Sequence, residues 1–268
     1  MTSAFSRKFI SFFYVYIQEM LAYRAGSIIW ILADVQMAMI MPAVWLSAYG
    51  SSGTIFGMEP NVMVTYYLVT LVLSQFIVCH LLWDIAWDIR EGAVTMQLLR
   101  PYSIFWMNGA RNLAWRVMKV VLFAPFLLVF LAVYGSHLGG VTLHLGWPFL
   151  VAVVLAHILS FLIANTVAQI TYWTTEFQSV FSLYYIPENV LSGRLVPLDS
   201  LPSWIKMAGN FLPFRYTVSF PANIAIGRSA QADFWPSIAM QVGWILIFAL
   251  AGRKLFCMGT RQYTGFGN

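Results

Sequence analysis

The sequence predicts an all-α integral membrane protein: six transmembrane helices, an N-terminal amphipathic interface helix, and an outer re-entrant helical hairpin between the fifth and sixth spans. Three observations predict it. Hydrophobic residues make up 60% of the 268-residue chain and charged residues 9%, against roughly 45–50% and roughly 25% in soluble domains. Several apolar runs approach the ~20 residues that a helix needs to cross a ~30 Å hydrocarbon core. Those runs show no strand-like alternation, which disfavours a membrane β-barrel.

Residues 1–25 come first. Phe9, Phe12, Phe13, Tyr16, Ile17, Met20 and Leu21 recur at three-and-four spacing, and Arg7, Ser11, Gln18 and Glu19 occupy much of the remainder. A helix with that pattern is amphipathic and lies in the membrane interface. Tyr23-Arg24-Ala25-Gly26 offers a bend before the first span; the competing reading is a plain extension of that span. No small-residue cleavage site follows the basic start, so the segment is expected to be retained.

Five runs read as spans, namely Ile28 to Ala48, Met63 to Trp83, Val117 to Tyr134, Trp147 to Ile170 and Ile238 to Phe256, and a shorter one, Phe177 to Leu191, makes the sixth. Lys and Arg orient them, because short translocated loops lose these residues. With the N-terminus inside, 11 basic residues fall on the cytoplasmic side, and the short outer loops Tyr49 to Asn61 and Gly135 to Gly146 contain none. Arg194, Lys206, Arg215 and Arg228 fall outside, in one long segment. The expected location is therefore the cytoplasmic (inner) membrane, multi-pass, with both termini cytoplasmic. The net charge of +5 sums the same asymmetry; it suits contact with anionic membrane lipids and calls for no nucleic acid.

Between the second and third spans, Asp84 to Lys119 holds eight of the 25 charged residues. The positive-inside rule explains its arginines but not Asp84, Asp88 and Glu91, since acidic residues contribute little to topology. Paired charges of both signs, with Gly92 allowing a break or a close approach, suit a partner protein at the cytoplasmic loop 84–112. In the fourth span Ala152, Ala156, Ser160, Ala164 and Ala168 form a small-residue ridge at spacing four, which lets another backbone approach closely. Residues 194–236 include Pro197, Pro202, Pro213, Pro221 and Pro236. That is too many for one spanning helix and fits an outer re-entrant segment, with its backbone covered by protein or water.

Chemistry is narrowed by absences. None of the four lysines ends a Gly-Lys-Ser/Thr phosphate loop. The four histidines and the two cysteines, Cys79 and Cys257, have no metal-ligand spacing. His157 and Ser160, three residues apart, are the nearest approach to a nucleophile pair, and bonding between helices explains them as well. No cofactor is expected in this chain. Asp34, ten residues past Arg24, would sit ~15 Å into the bilayer at ~1.5 Å per residue and needs a partner, for which Arg116 or Lys119 is the candidate. Glu188, beside the helix-disrupting Pro187, either marks a substrate route or pairs with Arg194.

The amphipathic start, six spans, the loop Ile89-Arg-Glu-Gly-Ala-Val-Thr-Met-Gln-Leu-Leu-Arg-Pro101 and the segment ending Leu212-Pro-Phe-Arg-Tyr216 together resemble the permease subunits of ABC-2 type transporters. The resemblance covers essentially the whole chain. It implies that the chain is not an enzyme, that two copies of a separate ABC ATPase carry ATP and Mg, and that a second permease, identical or related, completes an export pathway. On the matching loop positions, Asp88, Arg90, Glu91, Gly92 and Arg100 would contact the ATPase. Asp34, Tyr66, Tyr67, Phe181, Tyr184, Tyr185 and Glu188 are the candidates to line the substrate route. The alternatives are a membrane-embedded lipid-modifying enzyme and a passive scaffold or channel.

Overall fold

The computed structural model describes residues 2–50, 53–174 and 177–263, and is helical throughout apart from turns and connections. The N-terminal pattern forms α1 (Thr2–Ala22). Tyr23, at φ −103° and ψ 34°, separates it from α2 (Arg24–Tyr49), so α1 is a distinct helix. Its apolar stripe has a protein partner: Phe13, Tyr16, Ile17 and Met20 pack with Ala114, Trp115 and Met118. Pro60, whose missing amide costs nothing in a first turn, opens α3 (Pro60–Ile77). The chain then runs through α4 (Leu81–Arg90), α5 (Ala93–Leu98) and α6 (Ile104–Tyr134) to α7 (Trp147–Ala168) and α8 (Phe177–Leu191). Two short helices, α9 (Ser203–Phe211) and α10 (Ser219–Ala225), precede the last, α11 (Gln231–Gln262).

Among the described residues, five helical stretches are long and apolar enough to cross a membrane: Ala25–Tyr49, Pro60–Arg90, Ile104–His137, Trp147–Tyr172 and Gln231–Gln262. The region expected as a cytoplasmic loop, 84–112, is mostly helix instead: the end of α4, all of α5 and the first turns of α6. The third span accordingly starts thirteen residues before Val117, at Ile104. Its early polar residues, among them Asn108, Arg111, Asn112 and Arg116, lower local hydropathy, yet each bonds to a neighbouring element.

α7 is the central post, packed along α11 and α4. All five residues of its small-residue ridge are buried, and the partners come as close as the ridge permits. Gln241 of α11 donates to the Ala152 carbonyl at 3.1 Å, the Cys79 amide donates to Ser160 Oγ at 3.0 Å, and Thr166 donates to the Phe248 carbonyl at 3.0 Å. A Cβ on Gly252 of α11 would lie 2.6 Å from Thr166 Oγ1. A bulky side chain at this interface would separate the helices.

The second long stretch is interrupted. Val78 is extended (φ −68°, ψ 123°) and ends α3, while His80 precedes α4. An interruption orphans backbone carbonyls, which must find other donors. Arg116 Nη1 donates to Gln75 O at 3.0 Å, its Nη2 to Ile77 O at 3.3 Å, and His157 Nδ1 to Phe76 O at 2.8 Å. Asn112 completes the set, donating to His157 Nε2 at 3.2 Å while its Oδ1 accepts Arg116 Nη2 at 3.1 Å. Every side chain in this account comes from α6 or α7, so the break is built by its neighbours.

One end of the bundle gathers α1, the α4–α6 connections and the C-terminal end of α11: Lys8 Nζ donates to Pro101 O at 3.2 Å, and the Thr95 hydroxyl meets that of Tyr263 at 2.9 Å. Both described termini thus share one end. At the opposite end Trp147 packs edge-on against Phe234 with ring centroids 5.4 Å apart, and the His144 amide donates to Ala225 O at 2.8 Å. Between α7 and α11 the chain travels from the first end to the second through α8, α9 and α10.

Candidate coupling segment and buried charge cluster

The segment from α4 to α6 is folded by two local features. Gly92, at φ 76°, takes the left-handed conformation that side-chain-bearing residues avoid, and turns the chain from α4 into the six-residue α5. Arg111 of α6 then braces the turn from behind, with Nη1 3.2 Å from Asp88 Oδ2 and Nη2 3.5 Å from Asp84 Oδ1 and 3.9 Å from Glu19 Oε1 of α1. Gln97 of α5 donates to the same Asp88 oxygen at 2.9 Å. Tyr16 lies 5.5 Å under the Arg111 guanidinium, and burial pushes its phenol above the ordinary range even though Arg111 pulls the other way.

Asp88 was expected to face a partner protein. Its carboxylate is half-buried and bonds to Arg111 and Gln97 inside the chain. Arg90, Glu91 and Arg100 are exposed, and Gly92 is half-exposed between them. Around them Met96 of α5 and Leu99, which ends that helix, are 64% and 75% exposed. Phe5 and Phe12 of α1 stack near Tyr102, with centroids 5.6 and 5.3 Å away, and hold the far end of the segment.

The second constellation is buried. Asp34 of α2 accepts three bonds: from Lys119 Nζ at 2.6 Å, His80 Nε2 at 2.9 Å and Arg194 Nη2 at 3.2 Å. Lys119, which has only donors, also reaches His80 Nδ1 at 3.1 Å, so the imidazole carries its proton on Nε2 and is neutral. Arg194 Nη1 binds Glu188 Oε2 at 3.0 Å. Of the two candidates for Asp34, Lys119 is the partner; Arg116 serves the α3 break.

Arg194 was placed among the outer-segment charges. It is buried beside Asp34 because Gly193, at φ 81°, reverses the chain after α8, and the turn is pinned by Tyr66 Oη donating to Gly193 O at 2.7 Å and Tyr67 Oη to Leu195 O at 3.1 Å. The end of α8 therefore lies level with Asp34 and Lys119.

The residues expected to line the substrate route lie mostly in the interior of this chain. Tyr66, Tyr67, Tyr184, Tyr185 and Glu188 are buried within this chain, and Asp34 is enclosed by its three donors. Phe181 is half-buried against Trp83 and Tyr185, at 5.2 and 4.1 Å between centroids. These side chains pack and bond in the core of one chain. His157 and Ser160 do not meet as a catalytic pair, since each is spent on the backbone of the α3–α4 break. His157 bonds between helices, as one reading of the sequence had it, whereas the roles of His80 and Asn112 had no signal there, because the break contains neither Gly nor Pro.

A membrane-spanning helical bundle with an exposed, braced helix between its second and third long stretches matches one family by sequence: the model described as ABC-2 family transporter protein covers residues 35–267. The chain belongs to that family. As a member it is a multi-pass membrane transport permease, and the matched region takes in α5, α11 and the buried cluster apart from Asp34. No curated protein and no solved structure matches it.

Proposed function

We propose that this ABC-2 family member is the permease subunit of an ATP-driven exporter. Two copies of a separate ABC ATPase supply ATP and Mg chemistry, and a second permease, identical or related, completes the substrate pathway. The chain itself performs no catalysis and holds no cofactor. It lies in the inner membrane as a single transmembrane domain with both termini on the cytoplasmic side. The membrane is crossed six times, five times by the long stretches and once by the shorter α8, and α9 and α10 of the 194–236 segment form the re-entrant outer hairpin. α1 rests at the cytoplasmic interface.

The observation that carries this reading is α5. It is presented by a left-handed Gly92 and braced from behind by the Arg111 ion pairs, and it shows Glu91, Arg90 and Arg100 beside exposed Met96 and Leu99. A solvated loop needs neither the brace nor the apolar tip. Charges of both signs around an apolar centre suit a cleft in a partner that must be gripped and pushed. ATP-driven closure of the two ATPases would displace α5, and with it α4, so that the α2, α3–α4 and α8 faces of two facing permeases part.

The test is co-purification. Glu91→Arg is expected to abolish retention of the partner ATPase and stimulation of its turnover while leaving the chain folded. Wild-type retention together with wild-type stimulation would discard the assignment of α5.

A further inference from the structure

At the end of the bundle away from α5, the 194–236 segment and the start of α11 border a cavity of about 260 Å³. Part of its lining is polar and neutral: Ser219 and Asn223 contribute to it, and Asn223 Nδ2 donates to Ser219 O at 2.8 Å and to Ser219 Oγ at 3.1 Å. Five charged side chains complete the polar lining, namely Asp199, Lys206, Arg215, Arg228 and Asp233. Three of them settle their charges within the chain. Asp199 accepts from Lys206 and, at 3.1 Å, from Arg228 Nη2, and Arg228 Nη1 also donates to the Gly57 carbonyl at 2.9 Å.

Arg215 and Asp233 are the exceptions. Arg215, in the turn between α9 and α10, is half-buried and donates to the side-chain oxygen of Asn210, a neutral partner. Asp233 stands exposed in the first turn of α11. Among the described residues neither forms an ion pair, whether with the other or with a third group. Water satisfies a carboxylate at a rim, but a guanidinium partly withdrawn from water without a counter-charge is costly. One cavity therefore presents an unmatched cation and an unmatched anion, standing beyond ion-pair distance of each other. A simple anion would answer Arg215 and be repelled by Asp233, whereas a molecule with both charges answers both.

We propose that this cavity binds a small zwitterion, an α-amino acid, with its carboxylate on Arg215 and its ammonium on Asp233. A planar carboxylate matches the fork of a guanidinium, Ser219 and Asn223 offer hydrogen bonds to a polar side chain, and the volume suits one small molecule. Bound there, the amino acid ties the turn between α9 and α10 to the first turn of α11, so occupancy braces the outer segment against the last span. The site lies at the far end of the bundle from α5 and stands whether or not α5 engages an ATPase.

The experiment is equilibrium dialysis of the purified detergent-solubilised chain against labelled L-serine, with N-acetyl-L-serine, L-serinamide and glycerophosphoethanolamine as competitors. L-serine is expected to bind once per chain, and the acetylated and amidated forms, each lacking one of the two charges, about tenfold or more weakly. Glycerophosphoethanolamine, which carries the same two charges as a lipid headgroup does, should compete less well than unlabelled L-serine. Asp233→Asn should erase the preference for L-serine over N-acetyl-L-serine and keep the preference over L-serinamide; Arg215→Gln should do the reverse. Asp233 is exposed, so Asp233→Asn should keep the ligand-free unfolding midpoint and carries the test even where Arg215→Gln folds poorly. The proposal is overturned by any of four results: no saturable binding of L-serine at millimolar concentration, capped forms that bind as tightly as L-serine, the N-acetyl discrimination surviving in Asp233→Asn, or glycerophosphoethanolamine competing better than L-serine.

Discussion

Two of the ionic clusters in the molecule, one around Arg111 and one around Asp34, are set apart by burial. Around Arg111 the carboxylates of Asp84, Asp88 and Glu19 stand 3.2–3.9 Å from the guanidinium, and the Glu19 side chain is 47% exposed. Around Asp34 the contacts shorten to 2.6–3.2 Å and no participating side chain exceeds 12% exposure. Water reaches the first cluster and shares its charges, so removing one member leaves little unpaired. The second has no such reserve, because any member removed strands the others in a dry interior. The first is suited to a region that must engage and release; the second welds α2, α6, the α3–α4 break and the turn after α8 into one unit.

That contrast can be broken or sharpened by substitution. The largest expected effect is Asp34→Ala, which strands Lys119 and Arg194 and should cost about 3–5 kcal/mol. In thermal unfolding that is a fall of roughly 10 °C for a chain of this size; a midpoint within 2 °C of wild type would show that water enters the cluster. Next is Gly193→Ala, which puts a Cβ 2.5 Å from Tyr66 Oη at a left-handed position. It should cost about 2–4 kcal/mol from strain and overpacking together, and pairing it with Tyr66→Phe should recover part of the loss. Arg111→Met should cost only about 1 kcal/mol, and its cost should shrink when salt is raised from 0.05 to about 0.5 M, where screening is stronger; a salt-independent loss larger than that of Asp34→Ala would erase the distinction between the clusters. Glu91→Arg closes the series with a stability change within about 0.5 kcal/mol, so its effect should appear only as loss of the partner ATPase.

Much of this architecture was legible in the sequence where one cause acts alone. The fourth span, expected over Trp147 to Ile170, is the helix Trp147–Ala168, because no charged residue interrupts its apolar run and Pro148 marks its first turn. That Asp34 pairs with a cation of the third span, Arg116 or Lys119, was readable for a similar reason, since a carboxylate that deep in an apolar helix must find a cation, and the structure decides for Lys119. Legibility failed where tertiary partners override local signals. α6 begins at Ile104 because Asn108, Arg111 and Arg116 are bonded to neighbours that a hydropathy window cannot see. Arg194 reads as an outer charge until the reversal at Gly193 carries it inward. The interruption at Val78 to His80 is made by hydrogen bonds from α6 and α7, so its own residues give no warning of it.

That interruption has a mechanical corollary. A stretch running unbroken from Pro60 to Arg90 would transmit a thrust at its tip as one stiff rod. Jointed at residues 78–80 and gripped there by Arg116, His157 and the Asp34 cluster, it behaves as a lever with a fixed fulcrum. Under the proposed coupling, a small swing of the short arm, α4 with α5 at its end, would be redirected around the pivot to the reversal after α8, while the long arm, α3, would stay moored in its packing.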